Sequence, residues 1–139
     1  MTHKLYLSLG SNLGNREENL RRALALIDER VGSVYRVSSP METDPVGFSS
    51  TNKFINLVCL VHTMMSPMSC LRETQKIEHE LGRTQKSTCT NGTLQHFDRP
   101  IDIDLLTYDN IIMDTPELTL PHPRMQEREF VMRPLEEIS

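Results

Sequence analysis

The chain has no tryptophan and few aromatic residues of any kind, 5% in all. That speaks against a sheet built to stack single-stranded RNA bases, which needs exposed rings and a basic face. The formal net charge of −4 points the same way. No apolar run approaches the about 20 residues of a membrane-spanning helix. The opening residues, MTHKLYLSLGSN, turn polar after one short apolar stretch, unlike a secretory leader. The expected setting is the cytoplasm, with neither membrane nor nucleic acid as partner. Cysteine is scarce too. Cys59, Cys70 and Cys89 are odd in number and widely spaced, which offers neither a disulfide framework nor a zinc pattern. Cys59 falls in a strand-like run and Cys70 in a helical one, as packing residues; Cys89 lies in a polar loop, as an exposed thiol.

What is present is enough for one real core. The 139 residues are 37% hydrophobic and 24% charged, the profile of a soluble globular domain over 1–139. There are no internal repeats, linkers or heptads.

The most informative stretch is RPIDIDLL, residues 99–106. Along a β-strand every second side chain shares a face, so Asp102 and Asp104 project together while Ile101, Ile103 and Leu105 point the other way. At roughly 3.3 Å per residue their Cα atoms stand about 7 Å apart. That span suits a pair of divalent ions, which lie about 3.5–4 Å apart in two-metal sites. The plainer alternative is a half-buried strand with a solvated polar face, but aspartate is a poor strand former and two on one face repel. Charge is also segregated. Residues 100–120 hold Asp102, Asp104, Asp109, Asp114 and Glu117 with no Lys or Arg, whereas residues 83–99 set Arg83, Lys86 and Arg99 against Asp98. A basic segment leading into paired carboxylates suits a polyanion bound through metal ions.

Periodicity places the elements. Residues 4–11 alternate as a strand, with Tyr6 and Ser8 on one face and Leu5, Leu7 and Leu9 on the other. After a turn over 10–15, Asn15 caps a helix with Glu18 completing a capping box. Leu20, Ala23, Leu24, Ile27 and Val31 mark its apolar stripe and Gly32 its stop. Residues 33–43 read as one second strand, 44–52 as a loop and 53–63 as a strong third strand. Ser66 and Pro67 open a second helix that runs to Leu81 and ends at Gly82. Leu71, Gln75 and Glu78 fall on one stripe of it. Residues 84–98 read as a long structureless polar loop, a feature often functional. The Asp102/Asp104 strand follows, then a turn at Asp109–Asn110, a strand-like run over 111–113, and a helix over 127–138 interrupted by Pro134. Strand, helix, strand, strand, helix, strand is the split βαβ, ferredoxin-like order of an α+β domain, with an antiparallel sheet, helices on one face and extra C-terminal elements.

The chain also resembles a known family, the 6-hydroxymethyl-7,8-dihydropterin pyrophosphokinases of folate biosynthesis. The resemblance rests on LGSNLG, ETDPVG, FINLV, TQKIEHELGR, RPIDIDLL, LPHPRM and REFVMRPL in that order. It implies a ferredoxin-like fold and an enzyme that moves pyrophosphate from ATP to the pterin hydroxymethyl oxygen, releasing AMP. A monomer is the expected state of the chain. The resemblance implies two Mg²⁺ ions held by Asp102 and Asp104, with Arg83 and Arg99 as catalytic arginines on the phosphates. It places Leu71, Gln75, Glu78, Lys86, Thr119, His122 and Arg128 at ATP. Phe54 and Phe130 would sandwich the pterin ring, Asn56 would bond its edge, and Thr43, Pro45 and Val46 would close over it. Ahead of Arg99 the segment Gln95-His96-Phe97-Asp98 departs from the family pattern, with His96 and Phe97 the two rings available there. Two other readings share the pattern: a non-catalytic ferredoxin-like module for a ligand or RNA, and a two-metal phosphodiesterase.

Overall fold

The computed structural model describes residues 2–43, 53–82 and 100–139 in full, and the backbone of Ser87–Thr90 and Thr93–His96. Four long elements follow the sequence reading closely. Strand β1 spans His3–Ser11 and helix α1 Arg16–Arg30; strand β4 spans Phe54–Thr63 and helix α2 Pro67–Glu80. Asn15 caps α1 by accepting the Glu18 N–H at 3.1 Å. The reciprocal half of the expected box is replaced: the Glu18 carboxylate takes Arg21 Nε at 2.9 Å. Ser66 caps α2 through the Ser69 N–H at 3.3 Å. Gly82, at φ 104°, takes the chain out of that helix in a backbone conformation that suits glycine.

The expected strand over 33–43 is two strands, β2 (Ser33–Val37) and β3 (Met41–Thr43), both paired to β4. At the break the Ser38 backbone N–H donates to the Val58 carbonyl, and the Ser38 hydroxyl accepts the Val58 N–H, each at 2.9 Å. A side chain thus stands in for the ladder, and Pro40 has no N–H to continue it. The stretch 84–98 is not structureless: β5 (Ser87–Thr90) and β6 (Thr93–His96) pair as an antiparallel hairpin. Strand β7 runs Asp102–Tyr108. The strand-like run after it begins only at Met113, as β8 (Met113–Asp114) paired with β9 (Thr119–Leu120), while Ile111 and Ile112 are exposed. A short 3₁₀ turn, Met125–Glu127, leads into α3, Glu129–Ile138, which runs on through Pro134. Proline removes one intrahelical bond there, but its ring is buried and packing holds the helix.

The strands form a five-stranded antiparallel sheet ordered β2-β4-β1-β7, with β3 also on β4. This is the ferredoxin-like arrangement. One face carries Leu5, Leu7, Leu9, Ile101, Ile103 and Leu105 and is covered by α1 and α2 through Leu20, Ala23, Ile27, Cys70 and Ile77. The other face carries Val58, Leu60 and Leu106 under Met125, Val131 and Ile138 of the C-terminal elements. Helices α1 and α2 therefore share a face as expected, and α3 lies on the opposite one. Among the described residues no helix is long and apolar enough to cross a membrane.

Candidate active site

Antiparallel register carries a row of side chains across the sheet on the α3 face. Met41 is opposite Asn56, Asn56 is opposite Gly10, and Gly10 is opposite Asp102. The next row sets Val58, Ser8 and Asp104 side by side. Strands lie about 4.8 Å apart, so Asn56 and Asp102 stand about 10 Å from each other with only a glycine between them. Asp102 and Asp104 are half-buried, and the three apolar residues flanking them are in the opposite core. The alternation read from RPIDIDLL is realised.

Asn56 is buried, and its amide nitrogen donates to the Thr43 hydroxyl at 2.7 Å and more weakly to the Met41 carbonyl at 3.5 Å. Both bonds use the amide nitrogen and leave the carbonyl oxygen toward Gly10. A β-carbon built on Gly10 would stand 2.7 Å from Asn56 Oδ1 and 3.4 Å from the Phe54 ring. The sequence reading places Gly10 both at the end of the 4–11 strand and at the start of the turn; it lies inside β1 and clears the floor between the amide, the ring and the carboxylates. A glycine inside a strand pattern is the available signal for such close approach. Arg16 was also missed. From the first turn of α1 it reaches the Lys53 carbonyl at 2.9 Å and the Glu42 carboxylate at 3.1 Å. Those residues precede Phe54 and Thr43, so Arg16 ties the two strand ends that border the face.

Arg128 joins the two halves of the site. Its guanidinium lies 3.9 Å from Asp104 Oδ2 and 5.7 Å from the centroid of the half-buried Phe130 ring. Beside Asp104 a cavity of about 210 Å³ is lined by Leu71, Leu105, Thr119 and His122 among others. The His122 backbone N–H is fixed to the Leu106 carbonyl at 2.8 Å, and its Nδ1 accepts the Arg124 N–H at 3.2 Å. A neutral ring with Nδ1 accepting carries its proton on Nε2, as a donor.

Not every expected residue joins this group. Gln75 is exposed and lines a separate surface depression with Arg72 and His79. Glu78 is buried, with its carboxylate on the Ile103 N–H at 2.7 Å. Pro45, Val46, Arg83, Lys86, Arg99 and Phe97 lie outside the described residues, as does the side chain of His96. Cys89 is on β5, and its exposure is likewise outside them. Among the described residues no three His, Cys, Asp or Glu side chains converge as a metal cage.

These features define a class: a ferredoxin-like α+β domain whose sheet carries carboxylates, an amide and an aromatic ring on one face, beside a cavity that ends at one of those carboxylates. The sequence model of the 7,8-dihydro-6-hydroxymethylpterin-pyrophosphokinase family matches residues 6–139, and the chain belongs to that family. It is 47% identical over 136 residues to the 2-amino-4-hydroxy-6-hydroxymethyldihydropteridine pyrophosphokinase of Porphyromonas gingivalis, covering 97% of this chain and 90% of that one. The Bacillus subtilis enzyme of the same name is 41% identical over 139 residues, covering 99% and 79%. In fold the chain is similar to the HPPK-DHPS protein of Plasmodium falciparum, with a TM-score of 0.75 at 17% identity, covering 99% of this chain and 42% of that one. The chain thus spans about two fifths of that solved protein.

Proposed function

We propose that this pyrophosphokinase transfers the terminal pyrophosphoryl group of ATP to the hydroxymethyl oxygen of 6-hydroxymethyl-7,8-dihydropterin, as a cytoplasmic monomeric domain. The oxygen forms a bond to the β-phosphorus, the bond from that phosphorus to the α–β bridging oxygen breaks, and AMP leaves as the hydroxyl proton is released. One observation carries this reading: Asn56, Gly10 and Asp102 share one row of the sheet, with Asp104 one row on. A flat heterocycle set over the glycine would bring its side arm toward the carboxylates.

Magnesium fits the donor set. It is held by one or two carboxylates plus substrate phosphates more often than by an all-protein cage. Asp102 and Asp104 would hold it, two ions to the site, with phosphate oxygens completing the shell. Bound there, Mg²⁺ would neutralise phosphate charge and align attacking and leaving oxygens. The chain's own residues do the rest. Phe54 and Phe130 stack the pterin, whose flat ring favours such faces. Asn56 reads its edge, with Thr43 fixing the amide, and Pro45 and Val46 belong to the covering loop. Leu71 and Thr119 line the nucleotide cavity, and Gln75 is the more distant contact. His122 offers an Nε2–H donor to the phosphates, and Arg128, Arg83, Arg99 and Lys86 supply positive charge as the bridging oxygen takes up electrons.

Both faces of the sheet are largely covered by helices, which disfavours the base-stacking RNA module. The test is turnover against Mg²⁺ concentration in the wild type, Asp102→Ala and Asp104→Ala. Each variant is expected to fold with an unchanged Tm and lose at least about 100-fold in kcat, the scale of one lost transition-state charge contact. Near-normal turnover in either would overturn its assignment.

A further inference from the structure

Glu78 is a buried carboxylate, 4% exposed, in the last turn of α2. Neither fact favours a negative charge. Burial penalises ions, and the carbonyl end of a helix repels anions. Yet the carboxylate accepts one bond whose location gives it a task. Its Oε2 takes the backbone N–H of Ile103, the residue between Asp102 and Asp104, at 2.7 Å.

The sheet explains why that N–H needs a partner. Among the described residues, strand β7 stands at the end of the order β2-β4-β1-β7, with β1 on one side only. Ile103 lies opposite Leu9, flanked by the Asp102–Gly10 and Asp104–Ser8 pairs. In an antiparallel ladder, residues that exchange hydrogen bonds alternate with residues whose backbone groups face outward. The Ile103 N–H faces outward and would otherwise be an open strand edge. The Ile103 side chain, meanwhile, is sealed in the core that α2 helps to build. The aspartates are therefore tied to β1 through their own positions, and the peptide between them is tied to α2.

We propose that Glu78 is a positioning residue: by accepting the outward N–H of Ile103 it fixes the strand segment that presents Asp102 and Asp104 on the opposite face. The family resemblance places Glu78 at the nucleotide; the geometry gives it a main-chain partner beneath the carboxylates. Losing that acceptor strands a buried donor. For the metal the proposal rests on the reading of Asp102 and Asp104 as its ligands; the hydrogen bond to Ile103 does not.

The test therefore has two arms. The first is amide hydrogen exchange at Ile103 in the substrate-free, metal-free protein. Glu78→Ala is expected to speed exchange there at least about tenfold relative to the β1 amides, whereas Glu78→Gln, which keeps an acceptor, retains most of the protection. The second arm is Mg²⁺ dependence. Glu78→Ala is expected to raise the Mg²⁺ needed for half-maximal turnover about tenfold while the KM for ATP at saturating Mg²⁺ holds, with Glu78→Gln recovering most of the loss. Unchanged exchange at Ile103 in Glu78→Ala would overturn the proposal. So would an ATP KM raised equally by both variants, the signature of a direct nucleotide contact. If the exchange arm succeeds and Mg²⁺ dependence does not move, the positioning role at the metal fails while the turnover of Asp102→Ala and Asp104→Ala still decides the metal reading.

Discussion

Gly10 and Asn56 meet so closely that a single added methyl would bring carbon to within 2.7 Å of the amide oxygen. On the proposed reading the pair would tie pterin recognition to backbone packing, because the buried amide is already anchored to Thr43 on its other side. The floor of the site is thus set by the absence of a side chain on β1.

Gly10→Ala should act on the pterin and spare the nucleotide. Overpacking of this kind costs about 1–3 kcal/mol and forces a neighbour to move. The neighbours are Asn56 and Phe54. We expect the pterin KM to rise about tenfold or more, while affinity for a non-hydrolysable ATP analogue stays within about twofold. Equal loss for both ligands in calorimetry would mean that Gly10 serves the fold and not the pterin floor.

Arg128 predicts effects of opposite sign on metal and nucleotide. Its guanidinium lies 3.9 Å from Asp104 Oδ2, and it also lies over the Phe130 ring. Arg128→Met keeps the bulk and removes the charge. If Asp104 is a metal ligand as proposed, it then loses a competing cation, and Mn²⁺, a paramagnetic substitute for Mg²⁺, should bind the free protein about two- to fivefold more tightly. ATP should bind more weakly for want of a phosphate contact. Weaker Mn²⁺ binding in the variant would show that Arg128 supports Asp104 as a ligand instead of competing for it.

Acid stability should depend on Asp109, at the corner after β7. Its carboxylate accepts the Lys4 backbone N–H and bonds His3 Nδ1, both at 2.7 Å. The Lys4 N–H first, and His3 second, hold the carboxyl below the usual carboxylate range. The unfolded chain therefore binds the proton more readily than the folded one. The stabilisation is complete above the ordinary carboxylate pKa of about 3.9 and is lost as pH falls through the lower folded value. Urea unfolding between pH 7 and pH 2.5 should give a shallower acid limb for Asp109→Asn than for the wild type. Superimposable pH profiles would remove Asp109 from the acid response.

Much of this architecture is legible in the chain because each long element has one apolar face. Leu5, Leu7 and Leu9 announce β1, and Leu20, Ala23 and Ile27 announce α1, since period alone decides which side is buried. The aspartate pair is legible for the same reason: two residues apart on a strand is one face. Non-local facts are not. Gly10 matters because β4 and β7 flank β1, and no local window contains that register. The break at Ser38 is hidden because a serine side chain replaces a ladder bond without disturbing the alternation. The hairpin over β5 and β6 had its signal in Asn91–Gly92, but its strands are polar and carry no apolar period. On α2 the stripe divides at its edges. Gln75 and Glu78 differ by about 60° around the axis, enough to set one in solvent and the other under β7.

The most direct test of the account is the identity of the nucleotide product. The protein is incubated with ATP, Mg²⁺ and 6-hydroxymethyl-7,8-dihydropterin, and the products are resolved by phosphorus NMR. AMP and the pterin diphosphate are expected in equal amounts, with neither formed when the pterin is omitted. Formation of ADP, or ATP consumption indifferent to the pterin, would contradict it.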